Sequence, residues 1–193
     1  MPFFIRQSSP HTPDMNRTKA RGKEGFIMFG IFGKKGSDSA DGGVRVIAPC
    51  SGRIVDITEV PDAVFSGKMM GDGIAIWQEG AEVCAPVDGE LTLIAETKHA
   101  FGITTPEGVQ LLVHVGLETV ELGGQGFDVL VKAGQKVKAG DPVLRVDMDL
   151  MHDKGIEMIV PVVVLGDDYQ ELSKENLGST AERRSTVVAS IKK

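Results

Sequence analysis

"ETKHAFGITTPEGVQLLVHVG", residues 96–116, reads as two extended runs joined by a turn. In the second run Leu111, Val113 and Val115, with Leu117 beyond, alternate with other residues, the pattern of a strand with one face in a core. Between the runs, Thr105-Pro106-Glu107-Gly108 puts Pro and Gly at the second and fourth places of a type I turn. A hairpin centred between Pro106 and Glu107 pairs His99 with His114, Thr97 with Gly116 and Phe101 with Leu112. All six then share the face opposite Leu111 and Val113.

Working outward, the same texture continues along the chain. "VRVIAP" (44–49), "GRIVDI" (52–57), "GIAIW" (73–77), "GELTLI" (89–94), "PVLRV" (142–146), "MIVPVVV" (158–164) and "STVVASI" (185–191) are short β-rich runs separated by turn residues. This predicts an all-β fold, an antiparallel sandwich or barrel-like single domain over residues 44–193. Short helical turns are expected in "GFDVLVKAG" and "YQELSKENLG". An echo runs through the first half: "VIAPCSGRI" (46–54) and "VCAPVDGEL" (83–91) share V-x-A-P-x-[SD]-G-x-[IL] at an offset of 37 residues. Pro ends a ladder and Asp or Ser before Gly favours a tight turn, so the echo predicts two similar β units packed together.

Residues 1–43 read as a disordered leader and linker, polar, basic and without period. Met28 opens a second candidate start, after which Phe29, Ile31, Phe32, Lys34 and Lys35 offer weak membrane contact at most. No apolar run approaches the roughly 20 residues of a membrane helix, and the start lacks a secretory signal. Cys50 and Cys84 are too few for a disulfide framework and read as buried free thiols. A cytoplasmic location follows. Residues 1–35 hold seven Lys or Arg against two Asp or Glu; with −6 on the whole chain, −11 falls on residues 36–193. An acidic body argues against nucleic acid and suits a basic protein partner.

Two imidazoles brought into contact point to chemistry rather than packing. A neutral imidazole is nucleophilic at cellular pH without a separate base. Gly116 leaves its carbonyl open to the Nδ1–H of His114, which makes Nε2 the nucleophile. His99, with its ring held by the Thr97 hydroxyl, is then placed to bind an acquired anion. Val64, Phe65, Phe101 and Leu112 supply an apolar surround that suits docking by a protein. Two histidines fall short of the three or four ligands zinc needs; His152 reads as a loop residue and His11 lies in the leader.

"DAVFSGKMMGDGIAI" (62–76), "APVDGEL" (85–91), "ETKHAFGI" (96–103), "GVQLLVHVGLETVEL" (108–122), "GQGFDVLVKAGQKVKAGDPV" (124–143) and "VPVVV" (160–164) resemble the glucose-family IIA component of the bacterial phosphoenolpyruvate-dependent sugar phosphotransferase system. The resemblance implies an antiparallel β-sandwich of the duplicated hybrid motif type that carries a phosphohistidine relay. It implies that His114 accepts a phosphoryl group on Nε2 from the histidine-containing phosphocarrier protein. His114 would pass it to a cysteine of the IIB domain of a sugar permease, with His99 as auxiliary and Thr97 orienting it. Gly116, Asp62 and Glu118 take supporting places, Glu118 standing where some relatives have Asp. Val64, Phe65, Met69, Met70, Phe101 and Leu112 match the docking patch, which is shallower here because Ala95 replaces a Phe of some relatives. No cofactor is required. Some relatives bind zinc through the two histidines when a partner supplies a carboxylate, and some regulate other carbon-uptake proteins.

Two rival readings share parts of this pattern. A biotinyl or lipoyl carrier has a comparable β body, but Lys68 in "GKMMG" has the wrong flanks for a Met-Lys-Met site. A zinc peptidase of similar framework would need a His-x-His pair, which is absent.

Overall fold

The computed structural model describes residues 43–193, which form one compact unit. The leader, the Met28 start, the membrane-touching segment and His11 lie outside the described residues. The strands are β1 Val44–Ile47, β2 Ser51–Asp56, β3 Gly71–Glu79, β4 Glu82–Cys84, β5 Gly89–Ile94, β6 Ala100–Thr104, β7 Gln110–His114, β8 Phe127–Val129, β9 Lys136–Val137, β10 Pro142–Val146, β11 Ile159–Leu165, β12 Glu171–Lys174, β13 Thr180–Ala181 and β14 Val187–Lys192. Two short helices, α1 Ala63–Ser66 and α2 Met148–Asp153, and two 3-10 turns, Ile57–Glu59 and Thr119–Leu122, complete the elements.

The strands form an eight-stranded sheet in the order β13-β2-β3-β11-β7-β6-β5-β9 and two three-stranded sheets, β1-β14-β12 and β4-β10-β8. Every neighbouring pair in the large sheet runs antiparallel. The sheet stays open at β13 and β9, so the sandwich expectation holds and no barrel closes. No helix among the described residues is long and apolar enough to cross a membrane. Two segments expected to turn helically are strands instead: Phe127–Val129 pairs with β10, and Glu171–Lys174 with β14. Three apolar residues cannot tell the two periods apart, and pairing with a neighbour decided.

The echo folds as two copies of one corner. Ile47 N–H donates to Pro86 O and Cys84 N–H to Pro49 O, both at 2.9 Å, so the two Ala-Pro segments lie against each other. Beyond them β2 pairs with β3 and β5 with β6. Gly52 and Gly89, equivalent in the echo, are both needed for close approach. A Cβ would lie 1.8 Å from Trp77 O at the first and 2.5 Å from Thr104 O at the second.

The central strands of the large sheet are buried on both faces. The inner face, with Ile54, Ile74, Ile76, Leu91, Phe101, Ile103, Leu111, Val113 and Val162, packs against residues of the two small sheets such as Val46, Leu144 and Ile191. The outer face carries a smaller cluster of Val55, Ala75, Ala100, Leu112, Ile159 and Val163, roofed by Ile57, Val60, Phe65 and Leu117. Double burial explains the near-continuous apolar run of β11. Cys50 and Cys84 are buried free thiols; burial pushes the Cys84 thiol up to about 11.

Candidate active site

The hairpin that carries the histidines forms with a register one residue different from the two-residue loop. Gly108 N–H donates to Thr105 O and Thr105 N–H to Val109 O, each at 2.9 Å, and Gly108 adopts φ +82°. A type I turn followed by a left-handed glycine is a three-residue loop with a bulge, and it moves the partner of every residue by one. Ala100, not His99, stands opposite His114; Phe101 pairs with Val113 and Gly102 with Leu112. Phe101 therefore faces the inner core, 1% exposed, and is no part of an open patch.

The two rings meet all the same. His99 lies one residue ahead of β6, on the β5–β6 connection, where Lys98 N–H donates to Ala95 O and Lys98 turns the chain at φ +60°. Freed from strand alternation, the His99 ring stands edge-on to His114, with centroids 4.7 Å apart and planes at 70°. Its Nδ1 is 2.6 Å from Thr97 Oγ1. His99 is backed onto the sheet by its carbonyl, which accepts from Val115 N–H at 2.8 Å. His114, at the end of β7, follows Leu112 by two residues and shares its outer face. Extending the β7–β11 register puts Pro161 opposite His114, a residue with no N–H to give a ladder.

A third ring closes the group. Phe65 of α1 meets His114 edge-on at 5.1 Å. Asp62 caps that helix, its Oδ1 accepting from Val64 N–H at 2.8 Å and Phe65 N–H at 3.2 Å. Around α1, Val64, Met69 and Met70 are exposed, whereas Phe65 and Leu112 are buried. Ala95 packs on the edge of the outer cluster. Glu118 is exposed in a left-handed conformation, φ +56°. With Asp62, Pro61, Leu117, Lys154 and Glu157 it lines a cleft of about 380 Å3. A bigger cavity of about 580 Å3 lies at the far end of β6, beside Thr104, Thr105 and Pro106, away from the rings.

Electrostatics keep His114 neutral. Burial first, then the neighbouring His99, press its proton affinity down to about 4, against the Gly116 backbone and the Asp62 charge, which favour the proton. Burial alone lowers His99. Nδ1 of His114 is enclosed without a partner of good hydrogen-bond geometry. The Gly116 backbone favours the protonated ring, and the Gly116 carbonyl accepts from Thr119 Oγ1 at 3.2 Å. Neither Nε2 makes a hydrogen bond within the protein. No group of three His, Cys, Asp or Glu is arranged for a metal ion among the described residues. His152, expected on a loop, belongs to α2, far out in solvent.

The arrangement is a neutral imidazole at the end of β7, flanked edge-on by a second imidazole. Residues 44–169 match the family described as the phosphoenolpyruvate-dependent sugar phosphotransferase system, EIIA 1. The chain belongs to this family. It is 42% identical over 164 residues, 85% of this chain and 96% of the relative, to a protein of Bacillus anthracis named PTS system glucose-specific EIIA component. It is 51% identical over 126 residues to the PTS system glucose-specific EIICBA component of Staphylococcus carnosus, covering 65% of this chain and 19% of that longer one. Among solved structures, glucose permease IIA from Mycoplasma capricolum superposes with TM-score 0.70 at 38% identity, over 77% of this chain and 95% of the other. As an EIIA domain, the protein is a phosphotransferase that carries a phosphoryl group on a histidine toward the IIB unit of a sugar permease. Family membership implies the system's own protein partners.

Sequence reasoning missed three contributors. Thr119 looks like any residue of a polar loop, Pro161 like a misplaced turn residue, and Lys174, which ties the site's surroundings together, like a surface charge. Only the alternation around Pro161 carried a signal, since a proline inside an apolar run marks a broken ladder.

Proposed function

We propose that His114 carries the phosphoryl group on Nε2, taking it from the histidine-containing phosphocarrier protein and giving it to a cysteine of the IIB domain of a glucose-type permease, in the cytoplasm. The observation that carries this reading is the pair of edge-on rings, centroids 4.7 Å apart, with neither Nε2 hydrogen-bonded within the protein. The donor's N–P bond breaks in line as the Nε2–P bond forms, through a loose transition state that asks mainly for positioning. No proton needs to move: the neutral ring keeps Nδ1–H throughout, and the cysteine thiolate later displaces it as a neutral leaving group.

His99 has the auxiliary part. Thr97 Oγ1 and His99 Nδ1 share a hydrogen bond at 2.6 Å; in the tautomer where the hydroxyl donates, the ring proton sits on Nε2 and can bond a phosphoryl oxygen. Asp62 shapes the helix that presents Phe65, and Val64, Met69 and Met70 form the apolar face a partner covers. Zinc shared with a partner would find only two ligands in this chain, short of the three or four it needs.

The decisive experiment incubates the full chain with phosphoenolpyruvate, the upstream enzyme of the system and the phosphocarrier, and maps the acid-labile adduct. One phosphoryl group on His114 is expected. An adduct on His99, or none, would overturn the assignment.

A further inference from the structure

We propose that Thr119 is a positioning residue for His114: its buried hydroxyl fixes the carbonyls of residues 115 and 116 so that Gly116 O receives the ring's Nδ1–H and Nε2 keeps its lone pair outward. This deepens the reading of His114 as the carrier and rests on it for its kinetic arm alone.

Thr119 is fully buried at 0% exposure, more so than the other buried polar residues, Gln78, His99 and Thr105. Its hydroxyl donates to Val115 O at 2.9 Å and Gly116 O at 3.2 Å. Both carbonyls belong to the two residues that follow His114, so one side chain controls the peptide planes on which the ring rests. Its methyl completes the hold. A Cβ on Gly116 would lie 2.7 Å from Thr119 Cγ2 and 3.1 Å from Met158 Sδ, while Gly116 itself sits at φ +74°. The backbone at 116 is thus wedged by the methyl and tethered by the hydroxyl.

The chemistry gives this hold a purpose. Nδ1 of His114 is enclosed without a hydrogen-bond partner of good geometry, and the Gly116 backbone beside the ring favours its protonated form. A lone pair turned toward a carbonyl would be repelled, so the enclosed nitrogen keeps the proton. When Nε2 is phosphorylated the ring becomes cationic, and an aligned carbonyl then accepts a charge-assisted bond, roughly twice as strong as a neutral one. A carbonyl free to swing would leave that charge uncompensated and both tautomers populated.

The test uses the full chain with 15N-labelled imidazoles. At neutral pH, NMR should show His114 carrying its proton on Nδ1. Thr119→Val, which keeps the shape and removes the hydroxyl, should shift the tautomer ratio by about tenfold, the worth of one neutral hydrogen bond, and slow loading from the phosphocarrier to a similar extent. Thr119→Ser should keep both within about twofold of the parent. A folded Thr119→Val chain with the parent's ratio would overturn the proposal. If Thr119→Val does not fold, a parent ring protonated on Nε2, or a serine variant with a scrambled ratio, overturns it equally. A parent chain with the expected tautomer that never accepts phosphate would sink the relay assignment and leave this one standing.

Discussion

The β2–β3 and β5–β6 connections begin as copies and end as opposites. Both follow the same Ala-Pro corner and the same tightly packed glycine, Gly52 in one and Gly89 in the other. After β2 the chain makes an excursion through a 3-10 turn and α1, bringing Asp62 and Phe65 to the outer face. After β5 it turns within residues 95–99 and delivers Thr97 and His99. The two connections converge on His114, which belongs to neither. A duplicated frame supplied the platform, and unlike loops at equivalent places supplied the unlike parts of the site.

The sharpest way to break this comparison is to remove the residue on which both loops converge. His114→Ala should abolish phosphoryl loading while leaving the melting temperature within a few degrees of the parent. Intact mass after exposure to the phosphocarrier checks it, and normal loading would mean the loops serve some other group. Next comes the short connection. His99→Gln should keep loading near normal but slow onward transfer by about a hundredfold, the usual cost of one lost donor to a developing charge; sugar phosphorylation in a reconstituted relay measures it.

Stability experiments compare the two corners themselves. Gly52→Ala should cost about 3 kcal/mol or more, because the new Cβ collides with Trp77 O and the backbone φ is +140°. Gly89→Ala, facing a milder overlap with Thr104 O, should cost about 1–3 kcal/mol. Urea unfolding ranks them, and equal costs would mean the corners are more alike than their contacts suggest.

Two titrations probe the long connection. In Phe65→Ala the His114 ring is re-exposed, so its NMR midpoint should climb from about 4 toward the ordinary value of 6.5. In the parent the folded value is the lower one, so the unfolded chain takes the proton first. This group therefore subtracts stability as pH falls from 6.5 to about 4. The smallest effect concerns the fastening of that connection. Lys174 Nζ bridges Asp56 at 2.7 Å and Asp72 at 2.6 Å, the residues just before and just after the excursion. Burial pushes Asp56 up, but bonds from Lys174 and from the Thr58 N–H and hydroxyl outweigh it and hold the carboxyl at about 2. Its stabilisation is whole above pH 4 and is lost as pH falls through about 2. Lys174→Met should raise the pH of acid unfolding, as circular dichroism would show.

Local pattern carried much of this. Alternation placed Leu111, Val113 and Val115 inward and His114 outward, and the structure agrees. Thr97, expected beside His99 from the hairpin pairing and the family resemblance, has its hydroxyl 2.6 Å from that ring although the pairing itself is shifted by one residue. Leu117 broke ranks: the left-handed turn at Gly116 carried it to the outer cluster. Phe101 was misplaced because Gly108 took a left-handed conformation and lengthened the turn by one residue, and a one-residue change inverts every face. The contact of His99 with His114 survived that inversion because His99 sits beyond the strand, where alternation no longer rules.

By itself the amino-acid order determined most of the longer strands, the repeated corner and the closeness of two histidines across one turn, because periodicity and turn chemistry act over a few neighbouring residues. Tertiary structure alone decided the register, the roof of residues 57–66 over the second face of the sheet, and the low proton affinity of His114. Each of those depends on which distant surfaces exclude water together, and that is a property of packing rather than of any local run of residues.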